Sequence, residues 1–170
     1  MMIKHPSALF TVLALSITAC GPPDSAEANT PPDGAPVTAV VDAQDLPAVL
    51  VYKSASCGCC NGWVEHMRAA GFQVETRDVR DLMAVKIDAG VPTAMSSCHT
   101  ALIDGYAVEG HVPAEQIKRM LAERPDIAGL GVPGMPTGSP GMEGPRGEPY
   151  QVLSWDHQGQ PAIYAEIDPR

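Results

Sequence analysis

Residues 49–60 read VLVYKSASCGCC, and this stretch decides the expected fold. Residues 49–52 form a short apolar run rich in β-formers, which predicts a buried strand. The apolar residues after the cysteines, from Trp63 to Ala70, recur at helical spacing, and Gly71 suits the end of a helix. The sequence therefore predicts a strand that leads directly into a helix with cysteines at its start.

The strand and helix signals continue along the chain. The sequence predicts a second strand over 72–79, a second helix over 81–88, a hairpin over 100–109 that turns at Asp104-Gly105, and a third helix from Pro113 to Arg124. The order β-α-β-α-β-β-α predicts an α/β (α+β) fold of the thioredoxin-like type. A Gly/Pro-rich loop over 127–149 and a C-terminal hairpin over 150–168 complete a predicted domain of residues 48–170.

Composition limits the classes of function. The 170 residues allow one ordinary domain plus tails. The formal net charge of −9 disfavours nucleic acid as a partner, because phosphate backbones repel an acidic protein. The 16 glycines and 17 prolines indicate that much of the chain forms turns and linkers.

The N-terminal segment predicts export. Lys4 precedes an apolar run that is too short to span a bilayer, so residues 1–19 are predicted to be a signal peptide. The run ends in Ile17-Thr18-Ala19-Cys20, which resembles a bacterial lipobox, and Cys20 is the predicted lipidation site. Residues 20–47 are rich in Pro, Ala and acidic residues, so we expect a disordered tether. The expected location is the outer membrane, facing the periplasm, with a soluble periplasmic protein as the alternative.

Four cysteines remain after Cys20, namely Cys57, Cys59, Cys60 and Cys98. Cys57 and Cys60 have the C-x-x-C spacing of redox proteins, and a helix start favours their thiolate forms. Three interpretations are compatible with this set: structural disulfides, a thiol-disulfide oxidoreductase of thioredoxin type, or a metal site of clustered thiolates. The metal site is preferred because it uses all four sulfurs.

The identity of the metal follows from ligand softness. Thiolates select Cu(I), zinc or iron–sulfur clusters. A zinc site made of four cysteines usually needs two separated knuckles, and this chain has one. Cu(I) accepts few sulfurs and tolerates bridging thiolates, so the set could hold more than one copper ion. The thiols could also exchange electrons with copper, which would make the protein a copper/thiol oxidoreductase.

Several stretches resemble the family of exported bacterial proteins typified by the CopG copper-resistance protein. They are Tyr52-Lys53-Ser54, Cys57-Gly58-Cys59-Cys60, Gly90-Val91-Pro92, Ser97-Cys98-His99-Thr100, Ile103-Asp104-Gly105-Tyr106, Val108-Glu109-Gly110-His111-Val112-Pro113, Val132-Pro133-Gly134-Met135-Pro136 and Gly138-Ser139-Pro140-Gly141-Met142. The resemblance implies a thioredoxin-like fold, copper binding by these cysteines and a role in copper tolerance. Copper ions are the expected partner, with periplasmic copper-transport proteins as further candidates.

Four residues are secondary candidates for ligands. His99 directly follows Cys98, but neighbouring strand residues point to opposite faces, so both can bind one ion only in an irregular loop. His111 ends the predicted hairpin and is expected near the cysteine face. Met135 and Met142 carry soft thioethers on loops that could cover the site, although methionines commonly fill irregular gaps.

Other residues of these types are expected to be structural. His66 lies about 240° around the helix from Cys60 and should face away from the site. His157 lies in a polar turn and should be solvated. Met67 and Met120 follow apolar helix faces and should belong to the core, and Trp63 should anchor its helix.

Overall fold

The computed structural model describes residues 46–170 as one mixed α+β arrangement around a seven-stranded sheet. In chain order the elements are β1 (Val49–Lys53), α1 (Gly58–Ala69), β2 (Val74–Asp78), α2 (Leu82–Asp88), a 3-10 turn (Thr93–Met95), β3 (His99–Ile103), β4 (Tyr106–Glu109), α3 (Ala114–Glu123), β5 (Gly129–Gly131), β6 (Tyr150–Trp155) and β7 (Pro161–Ile167). The predicted α+β class and the order β-α-β-α-β-β-α up to α3 are confirmed.

The strands follow the order β2-β1-β3-β4-β5-β6-β7. β1 is parallel to β2 and antiparallel to β3, and β3 and β4 form the predicted hairpin. Asp104 and Gly105 turn this hairpin with φ angles of 48° and 89°, as a two-residue turn with positive φ at both positions requires. The strand pairing places the end of β1 beside the start of β3, so the segments that carry the cysteines meet at one edge.

The two faces of the sheet are covered by different helices. The larger core joins α1 and α3 to one face and includes the fully buried Trp63, Met67, Ile117 and Met120. α2 lies against the opposite face, where its Lys86 reaches Thr100 of β3. The core positions predicted for Trp63, Met67 and Met120 are confirmed.

The predicted loop over 127–149 is wrong in one respect, because it contains the short strand β5. β5 is parallel to β4 and antiparallel to β6, so it joins the C-terminal hairpin to the rest of the sheet. A Cβ atom at Gly129 would clash with the Ala107 carbonyl oxygen and would lie 2.5 Å from the Trp155 ring. Glycine is therefore needed here for strand packing, whereas the sequence pattern indicated only a loop.

The predicted signal peptide, Cys20 and nearly all of the predicted tether lie outside the described residues. Leu46 is 9% exposed and belongs to the larger core, so packing begins inside the stretch predicted as tether. Within residues 46–170, no helix combines the length and apolar character needed to cross a membrane.

Candidate metal centre

The first part of the site is the start of α1. Cys57 is the N-cap residue, and its Sγ accepts a hydrogen bond from the Cys60 backbone N–H at 3.3 Å. Cys57 and Cys60 form a disulfide, with Cα atoms 5.4 Å apart. The sequence predicted four thiolates, whereas this structure contains one disulfide and two free thiols, Cys59 and Cys98, among the described residues. The full set of four sulfur ligands therefore requires reduction of the Cys57–Cys60 disulfide.

The second part of the site is the loop before β3, which carries Cys98. Cys98 Sγ lies 3.8 Å from Cys59 Sγ, although 39 positions separate the two residues. The Cys60 Sγ lies 3.5 Å from the Cys98 carbonyl oxygen. The expected convergence of Cys98 on the early cysteines is therefore present in the structure.

His111 contributes a nitrogen to the same space. Its Nδ1 lies 2.7 Å from the Pro140 carbonyl oxygen, which can only accept a hydrogen bond, so Nδ1 carries the proton. The lone pair of Nε2 therefore points at Cys98 Sγ, 3.0 Å away. A ring whose second nitrogen donates to a backbone carbonyl has the arrangement usual for metal-binding histidines.

His99 is buried beside His111. Neighbouring strand residues point to opposite faces, but Cys98 still belongs to the loop and β3 begins only at His99. The His99 Nδ1 therefore lies 3.4 Å from Cys98 Sγ. The ring packs against Trp63 with 4.5 Å between ring centroids. The His99 Nε2 is buried and has no hydrogen-bond partner among the described residues.

Burial sets the protonation states of these groups. Burial, and to a lesser extent the neighbouring Cys59, raises the pKa of the Cys98 thiol to about 12. Burial lowers the pKa of His99 to about 3, with smaller contributions from His111 and Lys86, and it also lowers the pKa of His111. Both imidazoles are therefore neutral at pH 7, which is the form that binds metals. The protonated Cys98 thiol donates a hydrogen bond to the free Nε2 of His111.

The remaining candidates lie at different distances from the cluster. Met135 is at the site, with its Sδ 3.9 Å from Cys59 Sγ. Met142 is half-buried, and no hydrogen-bond contact joins its thioether to the cysteines among residues 46–170.

His66 accepts a hydrogen bond from the Ala114 backbone N–H at 3.0 Å and so supports the start of α3. His157 is exposed and lies 3.2 Å from an Asp126 carboxylate oxygen, as expected for a solvated residue.

Residues 132–142 form a strap over the site. The Ser97 hydroxyl donates to the Gly134 carbonyl oxygen, and Pro140 accepts from His111. At the far end Gly141 packs against the first turn of α1, where a Cβ atom would clash with the Cys59 carbonyl oxygen. The strap therefore contacts both cysteine-bearing segments and closes one side of the cluster.

Sequence reasoning missed a buried ion pair beneath the Cys98 loop. Glu109 is fully buried and pairs with Lys86, which is 4% exposed. The same carboxylate accepts hydrogen bonds from the Ser97 backbone N–H at 2.6 Å and from the Thr100 hydroxyl at 2.7 Å. The sequence feature that could have revealed this ion pair is a lysine at an apolar position of the short helix α2, together with a glutamate at the end of the apolar strand β4.

The donor atoms form two overlapping groups that share Cys98. One group is Cys57, Cys59, Cys60 and Cys98, and the other is Cys98, His99 and His111. Within each group the donor atoms lie within 4.8 Å of one another. Sulfur and neutral imidazole donors fit soft or borderline metals, and the groups contain no carboxylate that would suit Mg²⁺ or Ca²⁺.

Comparison with solved structures identifies the family to which this chain belongs. Two solved structures, named copper resistance protein CopG Form 2 and Form 1, are 49% identical to this chain, with TM-scores of 0.69 and 0.68. They cover 73% and 72% of this chain, and the match spans 100% and 98% of their own lengths. The chain belongs to the CopG family.

A family profile described as "Protein of unknown function, DUF411" also matches residues 95–142. A search of curated proteins found no match. The profile match begins just before Cys98, continues through His111 and ends with the strap, so it covers the half of the site that lies outside the C-x-C-C segment. In this member of the CopG family, that half joins the C-x-C-C segment in a cluster that could hold a metal ion.

Proposed function

We propose that this chain is a periplasm-facing lipoprotein that holds Cu(I) through Cys57, Cys59, Cys60 and Cys98 and contributes to copper resistance. The observation that carries the proposal is the approach of Cys98 Sγ to both Cys59 Sγ and His111 Nε2. Soft sulfur donors prefer Cu(I), and the solved relatives are named copper resistance proteins.

The disulfide supports a copper-linked redox step in this proposal. Cys57 and Cys60 can be present as two thiols or as one disulfide within the same turn of helix. Oxidation of the two thiols forms the S–S bond and releases two electrons and two protons. The electrons reduce two Cu(II) ions to two Cu(I) ions, which Cys59, Cys98 and His111 are placed to receive. An external dithiol then supplies two electrons and two protons, becomes a disulfide itself, and restores the two thiols of Cys57 and Cys60.

Metal analysis of the anaerobically reduced full chain tests copper binding. We expect the wild-type protein to retain Cu(I) during gel filtration and Cys98→Ser to lose most of it, because Cys98 belongs to both donor groups. His157→Ala is the matched control, since His157 is exposed and outside both groups. Equal copper content in the wild type and Cys98→Ser, with both folded by circular dichroism, would contradict the proposal.

A second function, thiol-disulfide exchange with other proteins, is favoured by one observation. The disulfide joins a partly exposed Cys57 to a buried Cys60 at a helix start, so an external thiol can reach one sulfur. Such an enzyme should reduce insulin disulfides and keep this activity in Cys98→Ser. A copper protein should instead show little insulin reduction and depend on Cys98 for metal.

The proposed location has its own test. Cys20→Ser removes the acylated thiol, so we expect the variant to move from the membrane fraction to the soluble periplasmic fraction. A wild-type protein that is already soluble would favour the unlipidated periplasmic form and leave the copper proposal unaffected.

A further inference from the structure

The sulfur atoms of the site differ in their access to solvent. Cys60 is fully buried, and Cys59 and Cys98 are partly buried. Met135 is 50% exposed and is therefore the most exposed of these sulfur-bearing residues. A methionine that fills a gap in a core is buried, so this exposure argues against a packing role for Met135.

Met135 nevertheless has a defined position at the cluster. Its Sδ lies 3.9 Å from Cys59 Sγ, across 76 positions of sequence. The backbone of the preceding Gly134 makes two hydrogen bonds to the Cys98 loop, one as acceptor and one as donor. Its carbonyl oxygen accepts from the Ser97 hydroxyl, and its N–H donates to the Ser96 carbonyl oxygen at 3.4 Å. The strap therefore holds an exposed thioether at the mouth of the thiol cluster.

The chemistry of a thioether differs from that of the thiolates behind it. A thioether is a soft ligand for Cu(I), but it is neutral and carries no proton, so it can bind and release the ion without a protonation step. The Cys98 thiol, in contrast, must lose a proton to become a ligand. An exposed neutral sulfur next to partly buried thiols is therefore better suited to exchanging Cu(I) with another molecule than to retaining the ion.

We propose that Met135 is the exchange ligand through which Cu(I) passes between Cys59 and an external carrier with soft ligands. The inference rests on the proposed Cu(I) binding. Transfer is a ligand exchange in which one copper–sulfur bond forms as another breaks, and no electrons move. The exposed side of Met135 meets the carrier, and its sulfur lies next to Cys59.

A comparison of two methionine variants tests this role. Met135→Leu removes the thioether at the mouth, and Met142→Leu removes one from the other end of the same strap. The full chain is loaded with Cu(I) anaerobically, and stopped-flow absorbance follows transfer to bicinchoninate. We expect Met135→Leu to slow transfer about tenfold, with equilibrium affinity nearly unchanged, and Met142→Leu to behave as wild type.

A second readout uses Ag(I) as a redox-inert probe of soft ligands. In a protein labelled with ¹³C at the methionine methyl groups, Ag(I) should shift the Met135 methyl resonance and leave that of Met142 in place. Equal transfer rates in both variants would overturn the proposal. A tenfold loss of affinity in Met135→Leu would also overturn it, because Met135 would then be a permanent ligand. Failure of the wild type itself to retain Cu(I) would instead refute the proposed function.

Discussion

The two segments that carry the cysteines are positioned by different kinds of contact. Cys57 and Cys60 lie within one turn of α1 and are joined by a disulfide and an N-cap hydrogen bond. Cys98 lies in a loop held by contacts with residues far along the chain. Its neighbour Ser97 bonds Glu109, 12 positions away, and Gly134, 37 positions away.

This difference determines which substitutions should disturb each half of the site. The helix start forms from neighbouring residues, so the C-x-x-C pair needs little support from elsewhere. The Cys98 loop is placed by the buried Glu109 carboxylate and by Gly134 of the strap, and both bond Ser97 rather than the early cysteines. Changes at those supports should therefore affect the Cys98 half first.

Glu109→Ala should have the largest effect on stability. The substitution leaves Lys86 buried without its carboxylate and removes the acceptor of the Ser97 N–H. Breaking a buried pair in this way costs about 3–5 kcal/mol, so the free energy of unfolding in urea should fall by that amount. Copper affinity should also fall, because the loop that carries Cys98 loses an anchor.

The double variant Lys86→Met/Glu109→Leu is the control for this prediction. Removal of both charges eliminates the unpaired lysine, so much of the lost stability should return. The Ser97 N–H still lacks its acceptor in this variant, and copper affinity should stay low. A double variant no more stable than Glu109→Ala would show that the ion pair is not what holds this region together.

Gly141→Ala should have the next largest effect, because it separates the strap from α1. Gly141 has a φ of 84°, and a Cβ atom would lie 2.6 Å from the Trp63 backbone nitrogen. Backbone strain and overpacking together should lower the unfolding free energy by roughly 2–4 kcal/mol.

Gly134→Ala is the matched control in the same strap. Gly134 also has a positive φ, 70°, but a Cβ atom there meets nothing within 4 Å. Only the backbone strain remains, so the loss should be about 1 kcal/mol. Equal losses in the two alanine variants, measured by urea unfolding, would mean that strap contact with α1 is unimportant.

His66→Ala should have the smallest of the three effects. It removes the acceptor for the Ala114 N–H at the start of α3, a loss comparable to that of a helix cap, or about 1 kcal/mol. Copper binding should not change, since His66 lies outside both donor groups. His157→Ala serves as the comparison and should leave the melting temperature unchanged, because its side chain is exposed. A loss of copper in His66→Ala would place this histidine in the site after all.

The structure confirms those predictions that depend on local pattern. The hairpin turn at Asp104-Gly105, the helix start at the cysteines and the burial of Met67 follow from nearby residues. The strand β5 was missed because a three-residue segment with two glycines has no periodic signal of its own. It is a strand only because β4 and β6 lie on either side of it.

The residue types alone indicate the class of donor atoms, because cysteines and methionines are soft donors and histidines borderline ones wherever they lie in the fold. Which of these donors lie close together depends on the three-dimensional fold. It brought His111 and Met135 to the cysteines, and it joined Cys57 to Cys60. Helix starts and turns depend on contacts between residues a few positions apart in the sequence. The position of Cys98 depends instead on strand pairing and on a buried carboxylate, whose partners are specified in distant parts of the chain.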